Sequence, residues 1–96
     1  MKVTFAPSAR DDLYAVFDFI AADSPAVAEA FIEELTDICR SLDIHPRRFP
    51  VIGSLAGREL RRRAYVDYII LYVLEGDEVR IAHVVQGSRN IASLLD

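Results

Sequence analysis

The hydrophobic pattern predicts a helical first half and a strand-rich second half. Residues 2–5 alternate like a short strand. Apolar residues then recur every three or four positions, first at Ala9, Leu13, Phe17 and Ile20. A second series consists of Ala28, Phe31, Leu35, Ile38 and Leu42. Because this spacing forms one face of a helix, we expect a strand followed by two amphipathic helices.

Capping residues indicate where the helices begin. Pro7 suits the first turn of a helix, and Ser8 with Asp11 three residues later resembles a capping box. Ser24 and Pro25 provide an N-cap and a first helical residue for the second helix. A short connection between the two helices predicts an antiparallel helical hairpin.

The second half reads as a loop and three strands. Residues 44–57 contain two prolines and two glycines and predict a loop. The strand-like runs are 58–64, 66–75 and 78–86. Gly76 and Asp77 predict a hairpin turn between the last two. Ser88 is the expected start of a short final helix that carries Ile91, Leu94 and Leu95.

This order of elements predicts an α+β fold. A single domain of residues 1–96 would place the helical hairpin on one face of a small antiparallel sheet, in the order β-α-α-β-β-β with a possible short C-terminal helix. The segment ELRRRAYVDYIILYV, residues 59–73, poses a question for this fold. Its strand is apolar on both sides, so both faces of the sheet need cover.

The three arginines of this segment allow two interpretations. As exposed guanidinium groups, Arg61, Arg62 and Arg63 suit bidentate capture of carboxylates. Alternatively, Arg62 faces solvent while Arg61 and Arg63 lay their stems over apolar surface on the opposite face. The spacing leaves both interpretations open.

Charge is distributed unevenly in a chain with a net charge of -4. Residues 1–46 contain three basic and nine acidic side chains, whereas residues 47–96 contain eight and six. A pI near 5.1 argues against a main function of specific nucleic-acid binding. One cysteine, no signal-peptide pattern and no apolar run longer than seven residues predict a cytoplasmic protein that does not enter a membrane.

Few residues suggest catalysis or metal binding. His45, His83 and Cys39 do not stand at ligand spacing from one another, so we expect neither a metal nor a cofactor. Cys39 follows an apolar helix position and is interpreted as a packed residue. His83 alternates with Ile81 and Val85, which favours a core histidine over an acid–base catalyst.

The assembled motifs resemble the ParE branch of the ParE/RelE toxin superfamily of type II toxin–antitoxin systems. The resemblance extends from about Thr4 to Leu95. It is carried by ARDDL (9–13), DFIAADSPAVAEAFIEEL (18–35), HPRRFPVIG (45–53), ELR (59–61), DYIILYV (67–73), VRIAHVVQG (79–87) and SRNIASLL (88–95). No one segment is specific, but together they occur in the order and spacing typical of the family.

The resemblance implies a toxin that binds its target and does not cleave it. RelE-like members are ribosome-dependent ribonucleases whose strand reads Y-R-x-x-Y, whereas Ile69 stands at the arginine position here. Gly57 and Glu59 stand where lysines are expected, and a leucine near position 95 replaces the C-terminal tyrosine. These departures favour the ParE branch, whose members poison DNA gyrase, and no catalytic residue is assigned.

The family also implies partners and binding residues. A ParD-like antitoxin with an acidic tail would bind Arg61, Arg62, Arg63, Tyr68, Ile70 and Tyr72, with its apolar side in an open groove on the sheet. The residues expected to contact gyrase are Arg89 and Asn90, with Arg80 secondary. Two alternatives remain: an mRNA endonuclease that uses Arg89, His83 and an arginine from 61–63, and a non-toxic homologue that only binds the antitoxin.

Overall fold

The computed structural model describes residues 1–87 and 91–95, and it contains two α-helices and five strands within those ranges. They are β1 (Lys2–Phe5), α1 (Pro7–Ala21), α2 (Pro25–Arg40), β2 (Val51–Leu55), β3 (Arg58–Tyr65), β4 (Tyr68–Glu75) and β5 (Glu78–Gln86). Short 3₁₀ helices occupy Ser41–Asp43, Pro46–Arg48 and Ile91–Leu94. None of the helices in the described ranges is long and apolar enough to cross a membrane.

The five strands form one sheet in the order β1-β5-β4-β3-β2. The predicted α+β class, with a helical hairpin on the sheet, is confirmed. The sheet is mixed, however, because β1 pairs with β5 in parallel while the other three pairs are antiparallel. The expectation of a purely antiparallel sheet was therefore wrong in this detail, since sequence periodicity does not reveal which strand β1 joins.

The loop predicted over residues 44–57 contains an edge strand, β2. It pairs only with β3, and its register shifts between Val51 and Gly53. A bulge and a central glycine weaken the alternation by which a strand is recognised in sequence. Gly53 also has a packing role, because an added Cβ would lie 3.0 Å from the Leu95 side chain.

Of the two predicted helix caps, only the second is confirmed. The backbone N–H of Val27 donates to the Ser24 hydroxyl over 3.3 Å, and Pro25 begins α2. At the start of α1 the N-cap is Ala6, and no side chain caps the helix. The Ser8 hydroxyl instead donates to the carbonyl of Ala82 over 2.6 Å. A tertiary contact has replaced the expected local one.

Both faces of β4 are covered by the chain itself. Toward the helices, Tyr68, Ile70 and Tyr72 pack with α1 and α2 in a core that includes Ala9 and Leu35. We call this side the helix face. On the opposite side, the far face, the buried residues are Leu60, Ile69, Leu71, Val73, Ala82 and Val85. The partly buried residues that pack on the far face are Ile52, Leu55, Ile91, Leu94 and Leu95.

Residues at the start of α1 and just before it form hydrogen bonds with backbone groups on the outer edge of β5, beyond the end of β1. The N–H of Ala6 donates to the carbonyl of Ile81 over 2.9 Å, where the parallel pairing ends. Six residues after Ala6, an Asp12 carboxylate oxygen accepts a hydrogen bond from the N–H of Val84 over 2.9 Å. Together with Ser8, this carboxylate gives backbone groups of the edge the partners that a further strand would supply.

Replacing Asp12 with Ala is expected to lower the free energy of unfolding by about 2 kcal/mol, because the Val84 N–H would lose its acceptor in a partly buried position. Urea denaturation followed by circular dichroism measures the change. Asp11 is the matched control, since it neighbours Asp12 on α1 but is exposed. Its replacement with Ala should change stability by less than about 0.5 kcal/mol. Equal effects of the two substitutions would contradict the role given to Asp12.

Candidate functional site

The three consecutive arginines point to different faces of the sheet. In the β3–β4 ladder Arg61 lies opposite Tyr72 and Arg63 lies opposite Ile70, both of which belong to the helix face. Arg62 lies opposite Leu71, which belongs to the far face. Directly opposed residues share a face, so the run does not form one continuous basic surface. This arrangement confirms the placement of Arg61 and Arg63 on the face opposite Arg62.

Arg61 holds the segment that follows the helical hairpin. Its Nη1 donates to the carbonyl of Arg47 over 2.8 Å and to the carbonyl of Phe49 over 2.7 Å. Its Nη2 lies 3.5 Å from a carboxylate oxygen of Glu59, and only 12 % of its side chain is exposed. Because these hydrogen bonds carry a charge on the donor, they are among the stronger kinds in proteins. Arg61 therefore acts as a structural residue.

A second contact to the same segment comes from the core. Tyr72 is fully buried, and its hydroxyl donates to the carbonyl of Pro46 over 2.5 Å. Burial raises the pKa of the Tyr72 phenol, and Arg61, Arg63 and Arg48 oppose this rise through their positive charges. The positive charges of these three guanidinium groups favour the ionised form of the Tyr72 phenol, whereas burial favours the neutral form.

Replacing Tyr72 with Phe is expected to lower the free energy of unfolding by about 1–2 kcal/mol, since the Pro46 carbonyl would lose a buried donor. Urea denaturation checks this value. As a control, the same substitution at Tyr14, which is 71 % exposed, should change stability by less than about 0.5 kcal/mol. A Tyr72→Phe protein as stable as the parent would show that this hydrogen bond contributes nothing.

Arg48 and Arg63 both lie against the ring of Phe49. The Cζ atom of each is 4.8 Å from the ring centroid, within the range of a cation–π interaction. The Nε of Arg63 is buried and has no hydrogen-bond partner among the described residues. We refer to Arg48, Phe49 and Arg63 as the arginine–phenylalanine cluster. Arg48 and Phe49 lie within the segment that Arg61 and Tyr72 hold, and Arg63 lies on β3.

Two side chains near this cluster, Cys39 and Tyr65, have raised pKa values that keep them protonated at neutral pH. Cys39 is fully buried, and burial raises the pKa of its thiol to about 12, against the opposing charges of Arg40 and Arg63. Such a thiol has almost no thiolate at neutral pH. The Tyr65 hydroxyl donates to the Glu34 carboxylate, which raises the pKa of that phenol. The interpretation of Cys39 as a packed helix residue is confirmed.

His83 has a carboxylate partner that the sequence did not indicate. Its Nδ1 lies 3.0 Å from the Asp12 oxygen that also binds Val84, and 22 % of its side chain is exposed. His45 is exposed, with a positive φ of 51°, at the start of the turn at Pro46–Arg48. Within residues 1–87 and 91–95, no group of three or more His, Cys, Asp or Glu side chains is placed to hold a metal ion.

The structure corrects the expected open groove. Tyr68 is 8 % exposed, and Ile70 and Tyr72 are fully buried, because α1 and α2 pack on this side of β4. On the far face Ile69 is also buried, beneath the C-terminal residues. No apolar groove therefore lies open at these positions. A role of the whole set in antitoxin binding, including the three arginines, stays a prediction.

The residues predicted to contact gyrase fall into two groups. Arg80 lies on β5 opposite Val73, which places it on the far-face side of the sheet, and it is partly buried. Arg89 and Asn90 lie outside the described residues, as does the predicted cap Ser88. The final helix predicted around Ile91 is observed as the 3₁₀ helix Ile91–Leu94.

Two members of the arginine–phenylalanine cluster, Arg48 and Phe49, were not among the predicted binding residues. They lie in HPRRFP, which the sequence places in a loop and in a family motif without indicating a binding role. The signal was an arginine pair followed by an aromatic residue between two prolines, a combination in which the backbone has little freedom. The contact between Phe49 and Arg63, fourteen positions further along, appears only in the folded chain.

Comparisons with known proteins agree with the sequence motifs. A family model described as the ParE toxin of the type II toxin–antitoxin system, parDE, matches residues 3–91. A solved structure titled "Chromosomal ParDE TA system from P. aeruginosa" superposes with a TM-score of 0.72 at 15 % identity, covering 90 % of this chain and 95 % of that chain. At this identity the similarity supports the fold alone. No curated protein sequence matches the chain significantly.

Proposed function

From the premise that this chain belongs to the ParE toxin family of type II toxin–antitoxin systems, we propose that it inhibits DNA gyrase by binding and is neutralised by a ParD-like antitoxin. Both events would take place in the cytoplasm. In this proposal the toxin catalyses no reaction. It stabilises one conformation of the gyrase–DNA complex through a higher affinity for that conformation.

The observation that carries this proposal is the composition of the far face of the sheet. Ile69 stands where ribonuclease members of the superfamily carry an arginine, and it is 6 % exposed beneath the C-terminal residues. Its neighbour on that face, Leu71, is fully buried. An apolar and covered side chain at position 69 offers neither a cation for a transition-state phosphate nor a proton donor at that place. This chemistry supports binding over RNA cleavage.

The residues proposed to contact gyrase are Arg89 and Asn90, with Arg80 as a secondary contact. Arg80 forms no ion pair with the described residues, so its charge can take part in an intermolecular contact. It lies in β5, the strand that leads directly into the segment carrying Arg89. The proposed contacts are therefore close in sequence to the end of the sheet.

A gyrase assay tests the proposal directly. Purified protein added to gyrase, ATP and relaxed plasmid is expected to inhibit supercoiling and to increase the amount of cleaved DNA. Arg89→Ala together with Asn90→Ala should reduce the inhibition roughly tenfold or more, as expected for a contact at the centre of an interface. The control Arg10→Ala removes an exposed charge on α1 and should inhibit like the parent. Unimpaired supercoiling with an excess of the parent protein would refute gyrase inhibition.

One observation supports a second candidate, a ribosome-dependent mRNA endonuclease. The Asp12 carboxylate lies 3.0 Å from Nδ1 of His83, and a carboxylate in this position orients an imidazole for proton transfer. A ribonuclease would combine His83 with Arg89 and an arginine from 61–63. Cleavage of ribosome-bound mRNA that His83→Gln abolishes, without any effect on gyrase, would favour this candidate. Harmless expression without an antitoxin would instead indicate a non-toxic homologue.

A further inference from the structure

The arginine–phenylalanine cluster presents two guanidinium groups in a defined arrangement. Both Cζ atoms lie 4.8 Å from the centroid of the Phe49 ring, so they are no more than twice that distance apart. The planar ring restricts where each guanidinium group can lie. Contact with the face of the ring does not itself occupy the donor N–H groups at the edge of a guanidinium, although the Nε of Arg63 is buried.

The position of Phe49 is fixed from beneath by other residues. Its carbonyl oxygen accepts a hydrogen bond from Arg61 over 2.7 Å. The 3₁₀ turn that precedes it, Pro46–Arg48, is held by the Tyr72 hydroxyl at the Pro46 carbonyl. Both supporting side chains come from strands of the central sheet. A ligand would therefore meet a largely prearranged site, which lowers the entropic cost of binding.

The cluster also lacks internal neutralisation within the described part of the chain. The arginine–carboxylate ion pairs seen there involve Arg58 with Glu75 at 3.8 Å and Arg61 with Glu59 at 3.5 Å. No carboxylate of the described residues lies within ion-pair distance of Arg48 or Arg63. Arg61 and its charge lie beside them, so the local potential is positive. An anionic partner suits this site.

We propose that Arg48, Phe49 and Arg63 form the docking site for an acidic peptide segment of the antitoxin, in which two carboxylates bind one guanidinium group each. The inference rests on the proposed function, because it assigns the place at which the antitoxin binds. The two carboxylates would be three or four residues apart in a helix, or two apart in an extended chain. Side chains at these spacings lie roughly 5–7 Å apart, which is within the upper limit that the two ring contacts set for the guanidinium groups.

The chemistry favours a peptide over a nucleic acid as the occupant. The chain carries a net charge of -4, and its first 46 residues contain nine acidic side chains against three basic ones. A long polyanion would be repelled by this half of the molecule. A peptide can place two carboxylates at the cluster and apolar side chains beside them. Phe49 is only partly buried and can offer an apolar contact of this kind.

Fluorescence anisotropy with a synthetic peptide tests the inference. The probe is a fluorescein-labelled twelve-residue peptide of alternating Glu and Leu, measured in 50 mM salt to limit screening. Arg48→Gln and Arg63→Gln should each weaken binding about tenfold, as expected for the loss of a charge-assisted hydrogen bond. Arg10→Gln, which removes an exposed arginine outside the cluster, should change the affinity less than twofold. Thermal unfolding confirms that each variant is folded.

Four results would overturn the inference. The first is unchanged peptide affinity in both cluster variants, and the second is undetectable binding by the parent protein. The third is equal binding of a control peptide with Gln in place of Glu. The fourth is stronger competition by a twelve-nucleotide single-stranded DNA than by unlabelled peptide, which would assign the cluster to nucleic acid.

The gyrase assay separates failure of the docking site from failure of the proposed function. A protein that inhibits gyrase but binds the peptide independently of Arg48 and Arg63 would refute the docking site and leave gyrase inhibition standing. A protein that has no effect on gyrase but binds the peptide through these arginines would support the docking site and refute gyrase inhibition.

Discussion

Replacing Arg61 with Gln is expected to lower the free energy of unfolding by about 3–4 kcal/mol, a large part of the stability of a domain this small. The substitution removes two hydrogen bonds from a charged donor, at 2.8 Å and 2.7 Å, from a side chain that is only 12 % exposed. Each such bond contributes roughly 1.5–3 kcal/mol, and the freed carbonyls of Arg47 and Phe49 lose their partner. Urea denaturation measures the change.

Arg62 is the matched control for this prediction. It is the next residue in the same strand, and its side chain lies on the opposite face of the sheet. Arg62→Gln should change the free energy of unfolding by less than about 0.5 kcal/mol. Arg61→Lys should give an intermediate loss, because an ammonium group keeps the charge but not the planar fork of donors. Similar losses for Arg61→Gln and Arg62→Gln would contradict the structural role of Arg61.

Replacing Leu94 and Leu95 together with Ser is expected to lower the free energy of unfolding by about 3–5 kcal/mol. Both side chains pack on the far face, against the buried cluster that includes Ile69 and Leu71. Burial of one leucine side chain contributes roughly 1.5–3 kcal/mol. Without these two side chains, apolar residues of the far face would become exposed to solvent. Urea denaturation measures the loss, and increased fluorescence of the dye ANS reports the exposed surface.

Exposed apolar residues provide the control for the Leu94 and Leu95 substitutions. Val27 is 58 % exposed and Ile44 is 63 % exposed, so replacing both with Ser removes similar side chains from solvent-facing positions. This control should cost less than about 1 kcal/mol and should not bind ANS. A Leu94→Ser, Leu95→Ser protein with parental stability and no ANS binding would show that the far face is covered in another way.

The helices and the three long strands were predictable because their signals are local. Pro7 and Pro25 each begin a helix, the Ser24 hydroxyl caps its own helix, and apolar residues every three or four positions give each helix a buried face. The turn at Gly76 was predictable because glycine adopts a positive φ, here 62°, without steric cost. These features depend on residues close together in the chain. The edge strand β2 was missed because its glycine and bulge obscure the alternation.

The candidate site was predicted only in part. The arginine run drew attention to β3, but the alternation of strand residues gives Arg61, Arg62 and Arg63 different surroundings. Arg63 contacts Phe49 from the other side of β2 in the sequence, and Asp12 binds the N–H of Val84, 72 positions away. Contacts between such distant residues depend on how the elements pack. No local pattern of residue types specifies them.

The sequence by itself determined the family, the α+β class and the presence of a strand that is apolar on both faces. The sequence also predicted that the helical hairpin covers one face, and only the tertiary structure decided that Ile91, Leu94 and Leu95 pack on the other. The tertiary structure also decided that Arg61 supports the fold, whereas Arg48 and Arg63 share one ring. The reason is physical. Periodicity fixes which side chains must leave water, but hydrophobic burial is non-directional and does not specify the surface that receives them.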